Sequence, residues 1–226
     1  MRWLVYMISR FLSGVIFAPF VKLHVRGAEN TARPGPFILA SNHSSHFDPP
    51  LLTVATRRKV DWMAMQALFD MRGVGVWLRN CDGFPVNMGQ VDMAASRTAI
   101  KRLRLGRMVG IFPEGGIRDG ARSALEGGPL RPGLGAIAQL GGAAIIPCAI
   151  VGADRLYSGR AWRLWKRTPV WIVYGEPLTC AKGGDRVAIE AALAESFRGL
   201  VARLRSECGV ADDDLPKSPA FRRSQA

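Results

Sequence analysis

The feature that most constrains the fold is a set of short apolar runs spaced along the chain. Phe37-Ile38-Leu39-Ala40 is continuous and suits a strand buried on both faces, and Met108–Phe112 reads the same way. Ala143–Val151 and Val170–Tyr174 are equally strand-like, Val60–Met65 is a further strand, and Phe84-Pro85-Val86 a short one. Ahead of these, Val21, Leu23 and Val25 alternate with polar residues and share one face of a strand through Arg26. Helical patterns fall between the strands. Asp48-Pro49-Pro50 opens a helix with proline in its first turn, and Val91–Leu105 sets Ala94, Ala95, Ala99, Ile100 and Leu103 on one side. Arg131–Gly141 is a small-residue helix, and Arg186–Arg205 is amphipathic, with Ile189, Leu193, Phe197, Leu200 and Leu204 aligned. Strands alternating with helices argue for the α/β class: a single domain with a mixed, largely buried sheet flanked by helices.

The 226 residues are 48% hydrophobic, enough for a sizeable core and too apolar for wholesale disorder. A formal charge of +13 calls for a polyanionic partner: nucleic acid, an anionic membrane surface or a phosphorylated substrate. Cys81, Cys148, Cys180 and Cys208 lie far apart and form neither a zinc pattern nor a disulfide framework, which fits a reducing compartment.

Trp3 to Val21 is almost wholly apolar, broken by Ser9, Arg10 and Ser13. Arg10 interrupts what would be the core of a signal peptide, and an arginine at the centre of a spanning helix costs about 2.5–3.5 kcal/mol. An interfacial helix avoids that cost, with Arg10 reaching the head groups and Trp3, Leu4, Phe11 and Phe17 entering the acyl region; a true span and an ordinary helix packed on the core are the alternatives. The expected organisation is an N-terminal membrane-interface helix over 1–21, a catalytic domain over 22–210, and a polar, disordered tail over 211–226.

Two segments carry the chemistry. The buried strand Phe37–Ala40 runs into Asn42-His43-Ser44-Ser45-His46-Phe47-Asp48, at the carboxyl end of a strand, where α/β proteins place functional loops. A neutral imidazole takes a proton from a hydroxyl at neutral pH, and a carboxylate fixes its tautomer, which suits His43 and Asp48. Asp48 could equally be a plain helix cap. His43, His46 and Asp48 offer metal-type donors, but no further ligand is suggested and no metal is expected. Ser44 and Ser45 sit in no nucleophile elbow, so the reacting hydroxyl could belong to the substrate. The second segment, Phe112-Pro113-Glu114-Gly115-Gly116-Ile117-Arg118, follows another buried strand. Its glycines admit backbone N–H groups to a phosphate, and Arg118 offers a charged fork.

In this order and spacing the segments resemble the glycerolipid acyltransferase family that includes the lysophosphatidate acyltransferases. The family's N-H-x-x-x-x-D block corresponds to Asn42, His43 and Asp48, and its F-P-E-G block to Phe112-Pro113-Glu114-Gly115. Gly83-Phe84-Pro85-Val86 and Ile145-Ile146-Pro147-Cys148-Ala149 match two weaker blocks, so the resemblance spans roughly residues 22–180. It implies an O-acyltransferase in which His43, paired with Asp48, is the general base for attack of an acceptor hydroxyl on an acyl thioester. The substrate-binding set is Asn42, Glu114, Gly115, Gly116 and Arg118. No cofactor is expected; acyl-CoA or acyl carrier protein is the co-substrate, and a lysophospholipid, lysophosphatidic acid first, the acceptor. The enzyme would sit on the anionic cytoplasmic membrane face.

Two departures bear on the acceptor. The family's intermediate block usually ends in arginine, where this chain has Asn87 or Met88, and F-P-E-G-T-R is replaced by a segment in which Gly116-Ile117 precedes Arg118. Arg79, Arg118 or Arg122 could compensate, or the acceptor is another lysolipid. Alternatives of other classes are a nonenzymatic basic protein on a membrane and a thioesterase using water. Arg155–Arg167, with Trp162 and Trp165, suits a membrane interface or a solvated loop; no nucleic-acid module is recognisable and none is expected as partner.

Overall fold

The computed structural model describes residues 1–89, 92–164, 166–179 and 183–225. In chain order the elements are α1 (Arg2–Phe17), β1 (Val21–Arg26), β2 (Phe37–Ser41), α2 (Asp48–Ala55), β3 (Val60–Met65), α3 (Gln66–Asp70), α4 (Val74–Asn80) and β4 (Phe84–Val86). They continue with α5 (Met93–Arg104), β5 (Met108–Ile111), α6 (Leu134–Gly141), β6 (Ala144–Val151), β7 (Thr168–Tyr174), α7 (Arg186–Cys208) and α8 (Pro219–Ser224). Among the described residues the strands form one seven-stranded sheet in the order β1-β7-β6-β2-β5-β3-β4. The pairings are parallel except β6 against β7, so the sheet is mixed as the pattern of runs predicts.

The uninterrupted runs take the middle of the sheet because both their faces are covered. Every residue of β2 is buried. Ile38 and Ala40 face a core shared with α5, α6 and α7, while Phe37 and Leu39 face one shared with α2 and the end of α1. β2 and β5 lie side by side, with Ala40 paired to Ile111. Two loops far apart in sequence, after Ser41 and after Ile111, therefore leave the sheet as neighbours at the carboxyl ends of parallel strands. That adjacency builds the site.

Helix α5 begins at Met93 because the Asp92 side chain accepts the backbone N–H groups of Ala94 and Ala95; the expected first residue, Val91, lies outside the described residues. Helix α6 starts at Leu134 rather than Arg131, since Gly133 takes a left-handed φ of 111°. Cys180 and Trp165 also lie outside the described residues. Cys81, Cys148 and Cys208 are free thiols.

Helix α1 combines features of two expected alternatives: one face is docked on the domain, as for a helix packed on the core, and the other is left outward. Tyr6 is buried and its hydroxyl accepts the Val60 N–H, Arg2 pairs with Asp82 at 3.2 Å, and Phe17 is buried rather than available to acyl chains. Arg10 does not reach outward but donates to the Val54 carbonyl at the end of α2, one of the carbonyls a helix leaves unpaired. The outward face stays apolar, with Trp3, Leu4, Ile8, Phe11, Leu12, Val15 and Ile16 exposed, Phe11 at 68%. Among the described residues no helix is long and apolar enough to cross a membrane.

Segment 211–225 is ordered, against the expectation of a disordered tail. Leu215 and Arg222 are buried, and the Arg222 guanidinium pairs with the fully buried Asp154 at 2.7 Å. The local composition is polar, but a few long-range contacts of this kind suffice to hold such a segment.

Candidate active site

His43 projects from the loop that leaves β2, with its side chain 16% exposed. Its Nδ1 lies 2.9 Å from Oδ2 of Asp48, the first residue of α2. That same oxygen receives the backbone N–H groups of Ser44 at 2.7 Å and Ser45 at 2.8 Å. An oxygen that accepts two N–H groups acts as acceptor toward the ring as well, which puts the imidazole proton on Nδ1 and leaves Nε2 as the free lone pair. Asp48 is thus more than a helix cap: fully buried, it folds the loop and sets the tautomer together.

The His43 ring lies flat on Phe112, centroids 4.0 Å apart and planes 18° from parallel. Phe112 in turn stacks on Trp62 at 5.2 Å and 10°. Gly110 makes this possible, since a Cβ there would stand 2.4 Å from the Trp62 ring. The Trp62 indole is fixed by a 2.9 Å hydrogen bond to Thr53 Oγ1. His43 is therefore held by an edge contact to a carboxylate and a face contact to an aromatic wall.

Glu114 does not present a carboxylate to solvent. It is 3% exposed; Oε2 accepts the His43 N–H at 2.6 Å, and Oε1 accepts the Ala124 N–H at 2.6 Å and the Ser123 hydroxyl at 3.3 Å. Burial raises its pKa to about 7 against these hydrogen bonds, which favour the charged form. Asn42 is likewise turned inward. Its side-chain amide bonds both the N–H and the carbonyl of Ile150, at 2.8 and 3.0 Å, extending β2 by imitating a peptide. These two members of the expected substrate-binding set build the loop, because each meets more backbone partners inside than out.

Gly115 and Gly116 have φ of 65° and 148°, and the Arg118 N–H donates to the His43 carbonyl at 2.8 Å. The Arg118 guanidinium packs against Gly116 and, among the described residues, donates only to the carbonyl of Ile117. Arg131, which sequence reasoning missed as a site residue, lies across Gly115: a Cβ there would be 2.0 Å from its Nε. Its backbone N–H is tied to Pro113, and among the described residues its guanidinium has no hydrogen-bonding or ionic partner. The other cations considered are engaged elsewhere, Arg79 on the Phe69 carbonyl and ring, Arg122 on Asp119. Asn87 is occupied by Asp92. Nothing in the sequence ties Arg131 to Gly115, because it lies in a different loop pattern and reaches back only after folding.

Residues 22–151 match the family model described as Acyltransferase. Over 155 residues the chain is 33% identical to a 1-acyl-sn-glycerol-3-phosphate acyltransferase of Bacillus subtilis, covering 68% of this chain and 72% of that protein. It is 28% identical over 162 residues to an uncharacterised protein of Mycobacterium tuberculosis, of which it spans 43%. The fold is similar to the crystal structure of the 1-acyl-sn-glycerophosphate acyltransferase PlsC from Thermotoga maritima, with a TM-score of 0.68, 24% identity, and 90% of this chain and 82% of that one covered.

Proposed function

The chain belongs to the acyltransferase family, and from that premise we propose that it moves a fatty acyl group from acyl-CoA or acyl carrier protein to the hydroxyl of a lysophospholipid, lysophosphatidic acid first. The observation that carries the reading is the His43–Asp48 pair, with Nε2 left free at the carboxyl end of β2 beside the loop that follows β5. The acceptor oxygen attacks the thioester carbonyl carbon while its proton passes to Nε2 of His43. Collapse of the adduct breaks the C–S bond, the proton passes to the leaving sulfur, and an ester and a free thiol result. Asp48 stabilises the imidazolium in between, and the Phe112 face keeps the ring from turning away. No protein nucleophile is needed.

The acceptor's phosphate is assigned to the Gly115-Gly116 turn, with Arg131 and Arg118 on its two sides. Two guanidinium groups with little to bond inside the protein are suited to a phosphate monoester. Arg131 then stands in for the arginine absent at Asn87 and Met88. The exposed apolar face of α1 lies in the membrane interface, which brings the acceptor to the site by diffusion in two dimensions. The relative from Bacillus subtilis, named for acylation of 1-acyl-sn-glycerol-3-phosphate, supports the choice of acceptor.

The test is acyl transfer from labelled acyl-CoA to lysophosphatidic acid in anionic liposomes, comparing wild type with His43→Ala. Phosphatidic acid formed by wild type alone is the expected result. Equal product from both proteins would overturn the general-base assignment, and acyl-CoA consumption without an acceptor would indicate a thioesterase.

A further inference from the structure

Residues 43–48 are pinned at three places, and the chemistry above accounts for two. The His43 end is held by Glu114 and by the N–H of Arg118, and the Asp48 end by α2. The middle is held by the packing of the Phe47 ring on Phe17 and Trp162 and, through hydrogen bonds, by Tyr157, on the turn that follows β6. Its hydroxyl receives the backbone N–H of His46 at 3.1 Å and lies 2.5 Å from Nδ1 of the same residue. Its ring also contacts that of Phe47, centroids 5.7 Å apart. An oxygen that accepts the His46 N–H has its own proton to give to Nδ1. Burial and the neighbouring His43 lower the His46 pKa, which suits the neutral ring as acceptor.

Tyr157 is in turn held from outside the domain core. The turn carrying it, Ala153–Tyr157, is clasped by segment 211–225. The Asp154 carboxylate receives the Lys217 N–H at 3.0 Å and the Arg222 Nε at 2.7 Å, and Arg155 pairs with Asp214. The Arg223 guanidinium sits over the Tyr157 ring, 5.5 Å from its centroid.

We propose that segment 211–225 is a strap acting through Tyr157 and His46 to set the conformation of the His43–Asp48 loop, so that these two are positioning residues for acyl transfer. The proposal rests on the acyltransfer reading for its consequence but not for its geometry. An exposed histidine between the base and its carboxylate, tied by both a backbone and a side-chain bond to one hydroxyl, limits how far the base can wander. A misplacement near 1 Å costs on the order of a hundredfold in rate, so a loop whose middle keeps only the Phe47 ring packing, with no hydrogen bond, loses turnover before it loses substrate.

The experiment uses the full chain with Tyr157→Phe, Arg223→Ala and the double variant. Amide hydrogen exchange over residues 42–48 is read first, because it requires no substrate. Tyr157→Phe is expected to speed exchange there and to leave β2 and β5 protected. In the acyl-transfer assay kcat falls roughly tenfold with Tyr157→Phe and about threefold with Arg223→Ala, with KM for donor and acceptor unchanged. The double variant matches Tyr157→Phe alone, because both changes act on one path. Unchanged exchange over 42–48, additive losses, or a raised KM at constant kcat would each overturn the strap. A wild type inactive on this donor and acceptor would sink the choice of substrates, while the exchange data still decide the loop.

Discussion

Glu114 receives the backbone N–H of His43 at 2.6 Å, and four residues further on Arg118 returns a backbone N–H to the His43 carbonyl at 2.8 Å. The peptide groups on both sides of His43 are thus gripped by one loop, and that loop also carries Phe112 beneath the imidazole. The acidic motif thus shapes the loop that carries His43. A carboxylate is suited to this because one group can accept from His43, Ser123 and Ala124 together.

Glu114→Gln leaves one amide nitrogen facing a backbone N–H, so one buried donor loses its partner, at a cost of about 1–3 kcal/mol. The pH dependence separates this from a generic defect. The folded pKa, near 7, lies above the ordinary carboxylate value, so folding takes up a proton between about pH 4.5 and 7. Stability from this group is fully present below the unfolded value and is lost as pH rises through the folded one. Urea titrations across that window are expected to show wild type losing stability relative to Glu114→Gln as pH rises.

Asp48→Asn keeps the shape, and its amide oxygen can take the place of Oδ2, but it removes the negative charge that stabilises the imidazolium and the Oδ1 acceptor of the Ser44 hydroxyl. Turnover is expected to fall about a thousandfold or more, and the melting temperature to drop, because the same carboxylate folds the loop. Activity assays beside thermal melts check both effects. Retained turnover would show that the base is oriented by Phe112 alone.

Gly110→Ala puts a methyl into the Trp62 ring, which has Phe112 on one side and a bond to Thr53 fixing its edge. The expected loss is about 1–3 kcal/mol, with a changed near-ultraviolet circular dichroism signal as the ring stack is displaced. Turnover falls with it, since His43 leans on the same stack.

Arg131→Ala is expected to raise KM for lysophosphatidic acid about tenfold, with kcat nearly unchanged and KM for acyl-CoA unaffected. A lysolipid without a phosphate monoester responds little. If both acceptors suffer equally, Arg131 supports the Gly115 turn and does not bind the acceptor.

Replacing Ile8, Phe11 and Leu12 with serine removes apolar side chains that are 49–68% exposed, so the melting temperature is expected to fall only slightly. Each side chain contributes about 1.5–3 kcal/mol when buried in an acyl layer. Sedimentation with anionic vesicles should register a loss of binding of about a thousandfold or more. Unaltered sedimentation would place membrane contact elsewhere.

Much of this protein follows from local pattern. Strand interiors such as Ile38-Leu39-Ala40 have one stable environment, a sheet covered on both faces, and so the α/β class is set by residues read in isolation. The His43–Asp48 pair is also local, because five positions bracket a single turn into α2. The sequence alone does not decide which polar groups face inward. Asn42, Glu114 and Arg10 look like solvent-facing or ligand-binding groups, yet each finds backbone partners that come within reach only once distant elements are packed. Arg131 over Gly115 and Tyr157 on His46 arise from the same cause. The first joins residues 16 positions apart through the folding back of the β5–α6 connection, the second residues 111 apart through the pairing of β2 with β6, and no local propensity encodes either. Backbone pattern selects the layers; the pairing of strands decides which side chains meet, because a buried polar group takes whatever partner the fold brings within hydrogen-bonding distance.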